Sequence, residues 1–307
     1  MEQFFVIFKD IILPVFILMT IGFYLHLKFK LDLSTLAKLN IYFLVPGFIF
    51  VKLYSATFGL ALFIKVLLFF ILLVVLLNFV ALIVAKVMNI TGGKKTTFAN
   101  SVMFFNSGNY GVPVNDLVFR SDPFAMSIQV IMLTLQNIFL FSYGIFSLRA
   151  AKEGKLKAAL GYFKMPVLYA MLSGVLLNAW NVAIPEPIWV SANYIADAMI
   201  AIALLTLGAQ VAKMEFKKGL ISVYVSVFIR LIGGPIVALM IITVFRLEGV
   251  MAQALFIASA MPTSVNSAVI AEEYKSHPDF AAQTVLFSTV ASMLTVTVII
   301  YLSRVLF

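Results

Sequence analysis

The chain has 307 residues, of which 63% are hydrophobic and 11% charged, with a formal net charge of +9. Soluble domains carry about 25% charged residues, so a water-soluble globular enzyme is excluded. Cysteine is absent and there are two histidines, His26 and His277. That excludes disulfides and thiolate metal sites, leaves little for a zinc site or a Ser-His-Asp triad, and predicts neither metal nor cofactor.

A bilayer core about 30 Å thick takes roughly 20 apolar residues as a helix. Ten segments qualify, at about 4–25, 34–54, 61–87, 96–119, 124–149, 165–183, 189–212, 219–245, 250–274 and 280–304. The expected class is an all-α membrane protein with residues 1–307 as a single transmembrane domain. The first span starts in MEQFFVIFKD, which has no basic leader, and no small-residue cleavage site follows the apolar run, so it reads as a retained helix. In the short loops, Lys and Arg fall unevenly. One side receives Lys28, Lys30, Lys38, Lys86, Lys94, Lys95, Arg149, Lys152, Lys155, Lys157, Lys164, Lys213, Lys217, Lys218 and Lys275, the other Lys9, Lys52, Lys65, Arg120, Arg246 and Arg304. Cytoplasmic loops carry the excess of positive charge, which predicts a multi-pass cell-membrane protein with both termini extracytoplasmic. The positive charge is thus a topology signal rather than a nucleic-acid footprint, and the expected partner is the lipid bilayer.

The spans repeat. The first carries Pro14 and Gly22, the sixth Pro166 and Gly174; the fifth begins after Asp122-Pro123 and the tenth after His277-Pro278-Asp279; the fourth and ninth hold Pro113 and Pro262. The matches come in the same order at offsets near 150 residues, predicting two five-helix halves, about 4–149 and 165–304. Since five is odd, the second half is inverted relative to the first.

The fourth span contains Asn106-Ser107-Gly108-Asn109-Tyr110-Gly111-Val112-Pro113-Val114-Asn115, and the ninth Ala260-Met261-Pro262-Thr263-Ser264-Val265-Asn266-Ser267. Glycine, asparagine and proline disfavour a continuous helix, so both spans are expected to break within these runs. Backbone freed from a helix is tolerated in a membrane only where protein or a wet cavity covers it. Two broken helices meeting there would aim two half-helix N-termini at one place. Each would carry about half a positive charge and unpaired N–H donors, an anion site without a fixed cation. Candidate substrate-binding residues are Asn106, Asn109, Tyr110, Gly111, Pro113, Asn115, Pro262, Thr263, Ser264 and Asn266.

Ionisable groups inside spans are costly and are functional candidates by default. Arg230, midway along the eighth span, either contacts substrate or a counter-ion, or pairs with a carboxylate or freed carbonyls near Gly233-Gly234-Pro235. Asp116 either favours the N-terminus of the second half-helix or carries a coupling proton or cation. Asp197 reads as an interfacial residue or a coupling group. Gln129 and Gln283 occupy equivalent places in the fifth and tenth spans, where an amide suits sodium, a carboxylate or a plain interhelical hydrogen bond.

Taken together, N-S-G-N-Y-G-V-P at 106–113, A-M-P-T-S-V-N-S at 260–267, Leu204–Ala209, Asn40 with Val45-Pro46, and Arg230 followed by Pro235 resemble the auxin efflux carrier family of membrane transporters. Ala201 stands where members often carry a proline. The resemblance implies the crossover fold of sodium–bile acid symporters and sodium–proton antiporters. There, spans 1, 2, 6 and 7 form a scaffold and spans 3–5 and 8–10 a core holding the site. It also implies small organic anions as substrates, namely malate, malonate or auxin-like acids, proton or sodium coupling as an open question, and a homodimer through the scaffold.

The function expected is secondary transport of small carboxylates by alternating access at the crossing. Two alternatives stay open: a sodium-coupled symporter of the bile-acid type and a non-transporting ligand sensor. An intramembrane enzyme would need paired catalytic aspartates, H-E-x-x-H or a Ser-His pair within the spans, and the sequence has none of these.

Overall fold

The computed structural model describes residues 2–56, 59–120, 122–149, 166–214 and 221–307. Lys152, Lys155, Lys157, Lys164, Lys217 and Lys218, which weigh in the charge count, lie outside the described residues. Regular structure in the described residues is helical apart from one antiparallel bridge. The helices are α1 (Gln3–Phe29), α2 (Leu33–Tyr54), α3 (Leu60–Val87), α4 (Gly92–Met103), α5 (Val112–Phe119), α6 (Pro123–Leu148), α7 (Pro166–Ala179), α8 (Glu186–Lys213), α9 (Ile221–Val244), α10 (Gly249–Ser259), α11 (Val265–Glu273) and α12 (Pro278–Leu306). Seven of them, α1, α2, α3, α6, α8, α9 and α12, are long and apolar enough to cross a membrane. The segments expected as spans four and nine each hold two shorter helices with a non-helical joint between them.

Local chemistry explains the helix starts. Asp32 accepts the Ser34 N–H at 3.0 Å to cap α2, and Asp122 accepts the Ala125 N–H at 2.8 Å ahead of Pro123 to cap α6. Proline explains most of the irregular turns. Pro14, Pro46, Pro113 and Pro235 each sit two residues beyond a π-helical turn, at Phe8–Ile12, Asn40–Leu44, Ser107–Gly111 and Ile229–Gly233. A proline ring collides with the carbonyl four residues back, and a turn widened by one residue moves that carbonyl aside. α8, with Ala201 near its middle, runs as plain α-helix from Glu186 to Lys213.

Close packing comes from glycine. α1 lies along α8, and α2 along α7 and α8. A Cβ on Gly22 would run into the Leu205 carbonyl, one on Gly208 into the Met19 carbonyl, and one on Gly174 would sit 3.0 Å from the Phe50 oxygen. Small residues let helix backbones approach where lipid offers no hydrophobic drive. The outer surface carries side chains such as Phe79, Leu68, Tyr194 and Val175, whereas Asn, Gln, Ser and Thr are plentiful inside. That distribution suits a solvent of hydrocarbon rather than water.

Candidate functional site

α4 stops at Met103 and α10 at Ser259, and the chain is extended through Phe104–Asn106 and again from Met261 to Ser264. The two joints lie side by side. Asn106 donates its N–H to the Pro262 carbonyl at 2.7 Å, Ser264 donates its N–H to the Phe104 carbonyl at 2.9 Å, and Phe105 and Thr263 form the antiparallel bridge between them. Thr263 completes the seam: its N–H donates to Ser288 Oγ at 3.1 Å and its hydroxyl to the Ser101 carbonyl at 2.9 Å.

Two expectations are corrected by this geometry. The run 106–115 predicts an interruption within itself, yet the helix ends at Met103 and resumes at Ser107, so the interruption falls on Phe104–Asn106 and the rest of the run, from Ser107 on, is helical. Pro113 lies inside that helical stretch, two residues past the π turn that accommodates its ring. It is Pro262, not Pro113, that occupies a joint, so the two prolines are not structural counterparts. The N–H groups of Asn106, Thr263 and Ser264 in the joints are spent on the seam. The donors left are in the first turns beyond it, at Gly108 and Asn109 and at Val265 and Asn266, where a helix leaves N–H groups without intrahelical acceptors.

Arg230 stands behind the seam. Its Nη1 donates to the Val102 carbonyl at 2.8 Å, its Nη2 to the Ser259 carbonyl, and its guanidinium lies 5.3 Å from the centre of the Phe105 ring. Val102 and Ser259 belong to the last turns of α4 and α10, so one cation serves two helix C-termini, where unpaired carbonyls and the negative dipole end favour it. Gly234 makes room, since a Cβ there would strike Nη2.

On the other side of the seam are two cavities that share Val45, Asn109, Asn137 and Asn266. One is partly open to the outside and is lined by Ala37, Asn40 and Ile41 of α2, Val167 of α7, and Thr206 and Gln210 of α8 as well as the shared residues. The other, also partly open, adds Phe105, Asn106, Ser107, Gly108, Leu133, Gln136 and Ser264. Neither lining contains an ionisable side chain. Seven amide side chains converge there: Asn40, Asn106, Asn109, Gln136, Asn137, Gln210 and Asn266.

Of the residues expected at the site, Asn106, Asn109, Ser264 and Asn266 line these cavities. Pro262 and Thr263 belong to the seam. Gly111 packs under Gln129, whose Nε2 donates to the Ser107 carbonyl at 2.8 Å and so braces the π turn. Tyr110 is fully buried, edge-on to Phe16 at 6.3 Å. Asn115 is buried, and neither end of its amide has a partner among the described residues. Neither of these two nor Pro113 belongs to the lining. Asp116, Arg230 and Gln283 are likewise outside it, and Asp197 is exposed on the outer surface of α8. Six lining residues with polar side chains were missed as site candidates: Asn40, Ser107, Gln136, Asn137, Thr206 and Gln210. The adjacent amide pair Gln136-Asn137 in an apolar span was the available signal.

Seam, cavities and apolar exterior define a polytopic membrane protein that encloses polar space within its helices. The pattern of the membrane transport protein family matches residues 6–300, and the chain belongs to that family, the auxin efflux carrier family. It is 24% identical over 298 residues to an uncharacterized transporter of Methanothermobacter thermautotrophicus, covering 93% of this chain and 95% of that protein. It is also 29% identical over 142 residues to auxin efflux carrier component 6 of Arabidopsis thaliana, and 27% identical over 143 residues to component 1 of that plant. Those two matches cover 44% and 45% of this chain but 25% and 23% of the plant proteins.

Proposed function

We propose that the protein is a secondary transporter of small organic anions, carboxylates such as malate, malonate or auxin-like acids, working by alternating access. The observation that carries this reading is the amide-rich cavity beside two helix joints. Neutral N–H donors and the starts of two helical segments favour an anion there, and no carboxylate in the lining opposes it.

The same proposal takes α4 with α5 and α10 with α11 as the broken fourth and ninth spans of two inverted five-span halves. Glycine packing supports it: Gly22 meets the carbonyl of Leu205 and Gly174 that of Phe50, and the two pairs exchange under offsets of 152 and 155 residues. α1, α2, α7 and α8 are then the scaffold and the remaining helices the core. The cavity falls between them, with Asn40, Thr206 and Gln210 on one wall and Asn109, Asn137 and Asn266 on the other. Rocking one wall against the other opens the same site to either face, with both chain termini on the extracytoplasmic side.

Purified protein in liposomes tests the reading, with dicarboxylates, monocarboxylates and indole acids offered with and without sodium and pH gradients. Saturable flux of at least one acid is expected. If none moves and none raises the thermal stability of the protein, the anion assignment is wrong.

A further inference from the structure

Four side chains that line the cavities hold buried polar atoms with no partner among the described residues: Asn40 Oδ1, Gln210 Oε1, Asn106 Nδ2, and both ends of the Gln136 amide. All four residues are more than nine-tenths buried. Buried polar groups are normally paired, and an orphan is costly, so such atoms mark where a ligand atom belongs.

Asn40 is the most informative. Its Nδ2 donates to the Leu36 carbonyl at 3.2 Å and to Thr206 Oγ1 at 3.0 Å, which uses both amide hydrogens. Turning the amide over would set its oxygen against the Leu36 carbonyl. Oδ1 is therefore fixed as an acceptor, and Gln210 Oε1 on the same wall is a second one. Donors are at hand as well: the amides of Asn109, Asn137 and Asn266 in the same cavity, the first-turn N–H groups beyond the seam, and, in the adjoining cavity, Asn106 Nδ2, beside a Gln136 amide with both ends open.

An ionised carboxylate has acceptors alone. It satisfies those donors and leaves Asn40 Oδ1 and Gln210 Oε1 facing oxygen or nothing. We propose that the ligand carries a hydroxyl or N–H donor in addition to its carboxylate, and that Asn40 Oδ1, with Gln210 Oε1 beside it, accepts that donor. This rests on the anion reading above and narrows it to donor-bearing acids.

The test uses the purified full-length chain in detergent and pairs of acids that differ in the donor alone: malate and succinate, 3-hydroxybutyrate and butyrate, indole-3-acetate and its N-methyl derivative. In at least one pair the donor-bearing acid is expected to bind about tenfold tighter or more, because a site built to accept a hydrogen bond rejects the analogue that lacks it. Asn40→Ala is expected to abolish that preference, so that the two members of the pair bind the variant equally. Equal binding within every pair that binds overturns the inference and leaves the anion reading standing. A preference that survives in the Asn40→Ala/Gln210→Ala double variant overturns it too. Binding by none of the six acids removes the anion reading and this inference with it. The wild-type comparison decides even if the variants fold poorly.

Discussion

Arg230 is the largest fully buried side chain among the described residues, and carbonyl oxygens are the partners that hold its guanidinium. Substituting Arg230→Met would strand the carbonyls of Val102 and Ser259 together. At roughly 1–3 kcal/mol for each buried orphan, a loss of about 2–6 kcal/mol is expected. Thermal unfolding in detergent should rank Arg above Lys above Met, since lysine keeps the charge but not the fork that reaches two helix ends at once. Equal stability of Arg230→Met and wild type would mean that the carbonyls find other donors. Asp32, in the turn between α1 and α2, is the opposite case of an exposed group. The Thr35 hydroxyl, first, and the Ser34 N–H, second, hold its carboxyl below the ordinary 3.8. A carboxyl with a depressed folded-state pKa contributes stability above its unfolded pKa and loses it as pH falls through the folded one. The first turn of α2 should therefore fray below about pH 4, seen as faster amide exchange at Ser34. The side-chain oxygen of an Asp32→Asn variant can still cap the helix and does not titrate, so that protein should keep its protection at acid pH.

Among the helices, the polar runs act by where they let a helix stop. Met103 and Ser259 are the last helical residues before the joints, and the freed backbone that follows is satisfied by the partner joint rather than by its own helix. A joint in either run alone would leave several peptide groups unpaired in a non-aqueous interior. The pair solves this by mutual hydrogen bonding, with Thr263 and Ser288 taking up the remainder. Helix contacts set a second constraint. Gly22 and Gly208 bring α1 and α8 together at the level of Met19 and Leu205, and each faces backbone rather than a flexible side chain. Gly22→Ala or Gly208→Ala must separate the two helices and is expected to cost at least the roughly 1–3 kcal/mol typical of overpacking. Gly59→Ala, where a Cβ meets nothing within 4 Å, is the control and should leave unfolding unchanged. If all three variants melt together with the wild type, the α1–α8 contact is looser than described.

For the whole molecule, charge is segregated. The chain carries a net charge of +9, yet the cavity linings hold amides and hydroxyls and no ionisable group. An anion bound there depends on a few well-placed neutral donors, so removing one should be felt. Asn109→Leu and Asn266→Leu each take an amide from both cavities. At about 1.5–3 kcal/mol for a hydrogen bond to a charged group, each should weaken acid binding by about 10–100-fold. Membrane insertion and thermal stability should stay near normal, and unchanged affinity in both variants would refute the site.

Much of this was legible because it is local. Apolar stretches marked seven helices long enough to cross a membrane, and the asparagine–proline runs marked the neighbourhood of the joints. Prolines misled by a few residues: Pro113 disfavours a helix before it, but a π turn absorbs the conflict, so the stop falls at Met103 instead. What depended on contacts distant in sequence was hidden. Arg230 could have met a substrate or a carbonyl, and its partners 128 and 29 residues away decided the matter. Asn40 and Gln210 each look like an isolated amide in an apolar helix until two helices bring them to one cavity. Residue order is enough to establish a helical membrane protein with weak points in two polar runs, because hydropathy and backbone propensity act within a turn or two. Which polar groups pair with each other, and which are left to face a ligand, is settled only when the helices come together, because inside a low-dielectric interior every donor and acceptor is assigned by its neighbours in space.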